Sequence, residues 1–156
     1  EMIAEQAGLT RRTFFRHFSD KRDVIFAGSE QLPPAVGQAI ADAAPGASPG
    51  QVVVAALVEV AGRLQDILRP SVLRHGVIMA SPELREREHT KYEAVAEAIA
   101  VGLQGRGVAA SASVLLGRAG STVFRTAFER WAEEPSTRPL ASQVRAVATE
   151  LRALWD

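Results

Sequence analysis

Apolar side chains along this chain return every three or four residues, the spacing of one face of an α-helix. Val53, Leu57, Val60 and Leu64 draw such a stripe over 49–68. Ser48-Pro49-Gly50-Gln51 supplies its start, with a serine cap, proline at the first helical position and glutamine three residues after the cap. Arg69-Pro70 breaks it. A short helix near 71–79 carries Leu73, Val77 and Ile78. Ser81-Pro82 opens another, lined by Leu84, Tyr92, Val95, Ile99 and Leu103 and closed by Gly105-Arg106-Gly107. Residues 110–133 form a long helix with Val114, Leu115, Val123, Phe124, Phe128 and Trp131, ended by Pro135. A last helix from Pro139 to Trp155 bears Val144, Val147, Leu151, Leu154 and Trp155. Strand-period alternation, repeats and low-complexity tracts are absent from the sequence. The pattern predicts an all-α chain, made compact by the short linkers 45–48 and 135–139.

The front of the chain has a different rhythm. Ile3, Ala4 and Ala7 give a short helix one apolar face, and the small alanines admit a close neighbour. Gly8 stands where a helix needs a residue tolerant of positive φ. Leu9 plugs the corner, and Thr10 caps a helix from Arg11 to about Phe18. Phe14 and Phe18 share its inner face, while Arg11, Arg12, Phe15 and Arg16 point elsewhere. Ser19 or Asp20 caps a further helix from Lys21, whose free N–H groups and ammonium suit a phosphate. Val24, Ile25 and Gly28 turn back toward the core. Pro33-Pro34 should interrupt or kink this helix, and Ala44-Pro45-Gly46 should end its continuation. A short apolar helix, a glycine turn and a capped basic helix make a helix-turn-helix suited to the DNA major groove.

Ala-Gly-Leu-Thr at 7–10, Thr-Phe-Phe-Arg-His-Phe at 13–18 and Lys21 resemble the DNA-binding segment of the TetR family of transcriptional regulators. Beyond residue 30 the resemblance lies in the helical layout and in Pro-Glu-Leu-Arg-Glu-Arg at 82–87. It implies a partial helix-turn-helix domain over 1–28 and a ligand-binding and dimerisation domain over 29–156. TetR-like domains have a longer helix before the position of Met2, so a chain beginning at Glu1 is expected to be N-terminally incomplete.

By position, the resemblance assigns base reading to Thr10, Arg11, Arg12 and Thr13. An arginine can donate two hydrogen bonds to a guanine edge. Phosphate contacts fall to Phe15, His17 and Lys21. The family usually has tyrosine, whose hydroxyl holds a phosphate, at the position of Phe15; the alternatives here are Phe15 against sugar or a thymine methyl, or Arg16 supplying the phosphate contact. His17 has an alternative as a packed ring among aromatics.

In the family the middle helices enclose a cavity for a small apolar or amphipathic effector. Leu57, Leu64, His75, Met79, Tyr92 and Phe128 are candidates for lining it, and each equally suits an ordinary core. The family's last two helices pair with their copies across a two-fold axis. That implies a homodimer through Val114, Ser121, Phe124, Val144, Val147, Leu151 and Leu154. The apolar character of 110–133 on more than one side, with small residues at Gly117, Gly120 and Ser121, agrees with a second partner. Such a dimer holds two motifs ~34–36 Å apart for successive major grooves. The implied mechanism is repression at a palindromic double-stranded DNA operator, relieved when an effector favours a second conformation.

Composition narrows the alternatives. The 156 residues carry eighteen basic and eighteen acidic side chains, a net charge of zero. A protein that coats DNA without sequence preference would be strongly basic, whereas neutrality with one basic helix suits a site-specific binder. No cysteine occurs, which excludes disulfides, thiolate catalysis and cysteine-bound zinc. No apolar run is long enough to span a bilayer and no signal peptide is visible, which fits a cytoplasmic protein. The bias to arginine over lysine, with Lys21 and Lys91 the two lysines, fits a GC-rich bacterial genome. The run from Arg85 to His89 reads as a solvated helical face, and His75 and His89 alone do not make a metal site. Without a phosphate loop, nucleophile elbow or metal motif, no enzyme and no cofactor is expected. The competing expectations are a helical protein-interaction module, or a regulator or activator without a small-molecule effector.

Overall fold

The computed structural model describes residues 25–68, 72–133 and 138–155, apart from the side chains at 72, 73 and 75. Among these residues there are helices and turns and no strand, the all-α architecture expected. A 3₁₀ turn at Ser29–Gln31 leads to α1 (Leu32–Ala41), α2 (Pro49–Leu64), α3 (Val72–Ala80), α4 (Pro82–Gly105), α5 (Ala110–Glu133) and α6 (Leu140–Ala153).

The two prolines do not kink a helix; they start one. Helical residues 25–26 give way to a turn at Ala27 and Gly28, and Pro33 and Pro34 fall in the first turn of α1. The first N–H groups of a helix have no intrahelical acceptor, so proline loses nothing there. Gly28 makes the break. Its φ is +82°, and a Cβ on it would run into the Ile67 side chain, so both backbone and space call for glycine. The Ser29 hydroxyl donates to the Phe26 carbonyl at 2.6 Å and satisfies one freed acceptor.

α2 begins as its cap predicts. The Ser48 hydroxyl accepts the Gln51 N–H at 3.3 Å and the Gln51 side chain accepts the Ser48 N–H at 2.9 Å. It stops at Leu64, short of the expected 68, because residues 65–67 form turns closed by Ile67 and Leu68 N–H donation to the Leu64 carbonyl. The Gln65 side-chain oxygen instead accepts the Leu140 N–H at 2.8 Å, which fixes the start of α6.

α4 and α5 form the most extensive helix pair. Ser113, Gly117, Gly120 and Ser121 are all buried on α5. A Cβ at Gly117 would overlap the Ala96 carbonyl oxygen of α4, so the two backbones approach as closely as glycine permits. The Ser121 hydroxyl donates to the Tyr92 carbonyl at 2.7 Å across the same seam. The small residues of α5 are therefore used inside the subunit. Leu57, Ile99, Leu103 and Phe124 are fully enclosed in the main core. Phe26, Ile78 and Leu84 form a separate small cluster, with Ile25 packed on its edge.

Arg106 sits just past α4 and reaches back to the end of α1. Its Nη1 donates to the Ala43 carbonyl at 2.7 Å and to the Ile40 and Ala41 carbonyls at 3.3 and 3.4 Å; its Nη2 donates to Ala44 at 3.1 Å. One guanidinium thus satisfies carbonyls that the helix end leaves open, and its positive charge suits the negative end of the helix dipole.

Candidate functional site

The eight candidates for DNA contact, Thr10, Arg11, Arg12, Thr13, Phe15, Arg16, His17 and Lys21, lie outside the described residues. The described chain begins at Ile25 and Phe26, and here the front of the sequence meets the body. Arg74 of α3 makes the junction. Its Nε donates to the Ile25 carbonyl at 2.9 Å and its Nη2 to Glu88 of α4 at 3.1 Å. The same guanidinium lies 5.4 Å from the Phe26 ring centroid and 5.7 Å from that of Phe128 on α5. Arg87 of α4 sits 4.8 Å from Phe26, so two arginines hold that ring.

A cavity of about 160 Å³ opens beside this junction, between α3, α4 and α5. Ile78, Met79 and Phe128 supply its apolar wall. Arg74, Arg85, Glu88, His89, Arg125 and Glu129 supply polar groups. Glu88 lies at the centre of the charges, bonded to Arg74 and, at 3.0 Å, to the Lys91 ammonium. Burial would raise the Glu88 carboxyl, but Lys91 and Arg74 outweigh it and hold the group below its ordinary value. Lys91 is pushed down to about 8, first by burial, with Glu88 opposing and Arg74 and Arg125 adding to the shift. Its ammonium lies 4.2 Å from the Tyr92 ring centroid and 5.6 Å from that of Phe128. Burial drives the Tyr92 phenol upward, with Glu88 adding to it. Arg125 pairs with Glu129 at 3.0 Å across one turn of α5.

Residues 1–27 match the family model described as bacterial regulatory proteins, tetR family. Over these residues the chain is similar to that family. No curated protein matches it. The matched stretch ends at Ala27, so the Ile25 and Phe26 contacts with Arg74 join the TetR segment to the helical body.

In the helical body the pocket candidates separate. Met79, half exposed, and Phe128 border the cavity together. Leu64 and Tyr92 are buried in the main core, and Leu57 is buried beneath a broad groove of about 1090 Å³ between α2, α5 and α6. The His75 side chain lies outside the described residues. The dimer candidates also divide. Ser121, Phe124, Val144 and Val147 are buried within the subunit, Leu151 is partly buried, and Val114 and Leu154 are exposed. The expected solvated face at 85–89 is exposed except for Glu88, which turns inward. Sequence spacing missed Arg74, Glu88, Lys91 and Arg125 as a cluster. The i,i+3 pairing of Glu88 with Lys91 was the available local signal.

No group of three or more His, Asp or Glu among the described residues is arranged to hold a metal ion. No helix among them is long and apolar enough to cross a membrane.

Proposed function

We propose that this chain is a ligand-responsive transcriptional repressor that binds a palindromic operator as a homodimer and releases it when a small molecule enters the body. The match of residues 1–27 to the tetR family model, in a stretch that contains Arg11, Arg12 and Arg16, carries this proposal. Thr10, Arg11, Arg12 and Thr13 read bases; His17 and Lys21 hold phosphates, aided by Arg16, with Phe15 against sugar or a thymine methyl. The protein works in the cytoplasm and catalyses no reaction.

Exposed apolar surface supports the dimer. Leu115 is 70% exposed, and Leu154 and Trp155 are 82% and 83% exposed. Trp155 lines the groove between α2, α5 and α6, and so does Leu116, the neighbour of Leu115. Large apolar side chains clustered in water mark a contact surface. Ligand response is supported by the cavity against Arg74, the residue that also grips the TetR segment. An effector shifts the balance between DNA-bound and free forms only by its difference in affinity for the two.

The test is selection of bound duplexes from a random pool, followed by gel-shift titration with Arg11→Ala and Arg12→Ala. Loss of a bidentate base contact should cost ~1–3 kcal/mol of specific binding and relax preference at one base pair per half-site. Enrichment of no palindrome, or unchanged affinity in both variants, refutes the assignment.

A further inference from the structure

The groove of about 1090 Å³ between α2, α5 and α6 has opposite charge on two of its walls. Arg145 and Arg152 line it from α6, seven residues apart on one helix face. Neither pairs with a carboxylate among the described residues. Glu59 lines it from α2 and is paired with Arg63 one turn on, both side chains 55% exposed. An exposed pair of this kind holds weakly, so Glu59 can take a second cation at little cost. Between the charges the groove is apolar, with Val54 and Val58 of α2 and Val123 of α5. The groove face of α6 ends in Trp155, one turn beyond Leu151 and Arg152. Although it borders the groove, Trp155 is 83% exposed, so its own subunit does not cover it. A bare tryptophan is the side chain with most to gain from a contact.

One surface therefore carries both an open apolar slot and a projecting ring. In a two-fold pair each surface meets its own copy, so every subunit can give the ring and receive it. We propose that the groove takes the last turn of α6 from a second copy of this chain, with that copy's Trp155 against Val54 and Val58 and its Arg152 facing Glu59. The inference rests on the homodimer proposed above and deepens it. It makes α2 a third wall of the contact, beyond the last two helices, and gives Glu59 the part of setting register. Charge favours this occupant. An anionic amphiphile would suit Arg145 and Arg152 but meet the Glu59 carboxylate and leave Trp155 in water. A second copy answers both signs of charge and covers the ring.

The experiment is iodide quenching of tryptophan emission in the 156-residue protein, in dilute and concentrated solution, with sedimentation velocity reporting the species in each. The chain has two tryptophans, and Trp131 is 3% exposed, so Trp155 supplies the emission that iodide reaches. Quenching should fall several-fold from monomer to dimer. Trp155→Ala removes an exposed side chain and leaves the core alone; it should weaken dimerisation about tenfold or more. Glu59→Arg and Arg152→Glu should each weaken it about fivefold, and the two together should recover most of that loss. A dimer whose Trp155 is quenched as readily as the monomer's overturns the inference. So does a Trp155 shielded equally in both, as it would be in its own groove or under a bound small molecule. A double reversal that recovers nothing overturns the pairing of Arg152 with Glu59. In these cases the homodimer reading stands, whereas a monomeric parent at every concentration removes both.

Discussion

Gly117→Ala and Gly62→Ala are the same substitution in helix interiors, and the structure predicts opposite signs for them. At Gly62 in α2 nothing lies within 4 Å of an added Cβ. The change there removes backbone freedom from the unfolded chain and should stabilise by ~0.5–1 kcal/mol. At Gly117 the added carbon would sit 3.3 Å from the Ala96 carbonyl carbon and 3.4 Å from the Ala100 Cβ, with the Ala96 oxygen closer still. Two of these three neighbours are backbone atoms, so no rotamer change can move them aside. α5 must lift from α4 along its longest seam. Overpacking of this kind costs ~1–3 kcal/mol, against a helix-propensity gain of at most ~1. The net expectation is destabilisation of about 1–2 kcal/mol, a drop of ~2–8 °C in Tm for a domain of this size. Urea unfolding followed by circular dichroism, at one fixed protein concentration, reads both variants against the parent. A Gly117→Ala protein as stable as Gly62→Ala would refute the close approach of α4 and α5.

Three further outcomes follow from particular groups. Lys91 loses its proton near pH 8 when folded and near 10.5 when unfolded, so between these values the unfolded chain binds the extra proton and stability rises with pH. The slope is at most ~1.4 kcal/mol per pH unit; the parent's urea midpoint should climb relative to that of Lys91→Met from pH 8 to 10, and a constant difference would count against the burial of this amine. Ser48→Ala removes the α2 capping box and should cost ~1 kcal/mol, read as a lower urea midpoint with an unchanged slope; no change would mean the cap is idle. Leu115→Glu places a charge on a side chain that is 70% exposed in the single subunit. Sedimentation velocity should find a dimeric parent and a monomeric, folded variant; a monomeric parent or a dimeric variant would remove the contact surface proposed for the ends of α5 and α6.

Much of the helical layout was legible because its punctuation is local. Ser48-Pro49 and Ser81-Pro82 set the starts of α2 and α4 within a few residues, and Gly105-Arg106-Gly107 ended α4 where expected. Pro33-Pro34 misled because proline carries the same signal at a kink and in a first turn. What decided between them was Gly28 against Ile67, a contact between residues far apart in the chain. Pocket and core were harder to separate, since Leu57, Leu64, Tyr92 and Phe128 all obey one helical period. All four are buried in one core, and Phe128 also borders the cavity because of how α3, α4 and α5 cross, which no local rule encodes. Glu88 was hidden in a run of charges. Its inward turn depends on Arg74 of a neighbouring helix, although Lys91 one turn away hinted at it. For α5, Gly117 meets α4 and Gly120 meets both α2 and α4 inside the subunit, because glycine favours any close helix neighbour, internal or external.

The Arg106 clamp fastens the end of α1 to the end of a helix more than sixty residues away in the chain. Four carbonyls around its C-terminus are tied to the terminus of α4 by a single planar group, whereas its opposite end hangs from the Gly28 turn that leads directly to Ile25 and Phe26. Leu32 near that end is buried in the main core, so α1 is held at both ends, by polar bonds at one and by apolar packing at the other. Shortening the Arg106 side chain should therefore free the 40–44 end of α1 while the Leu32 end keeps its place in the core.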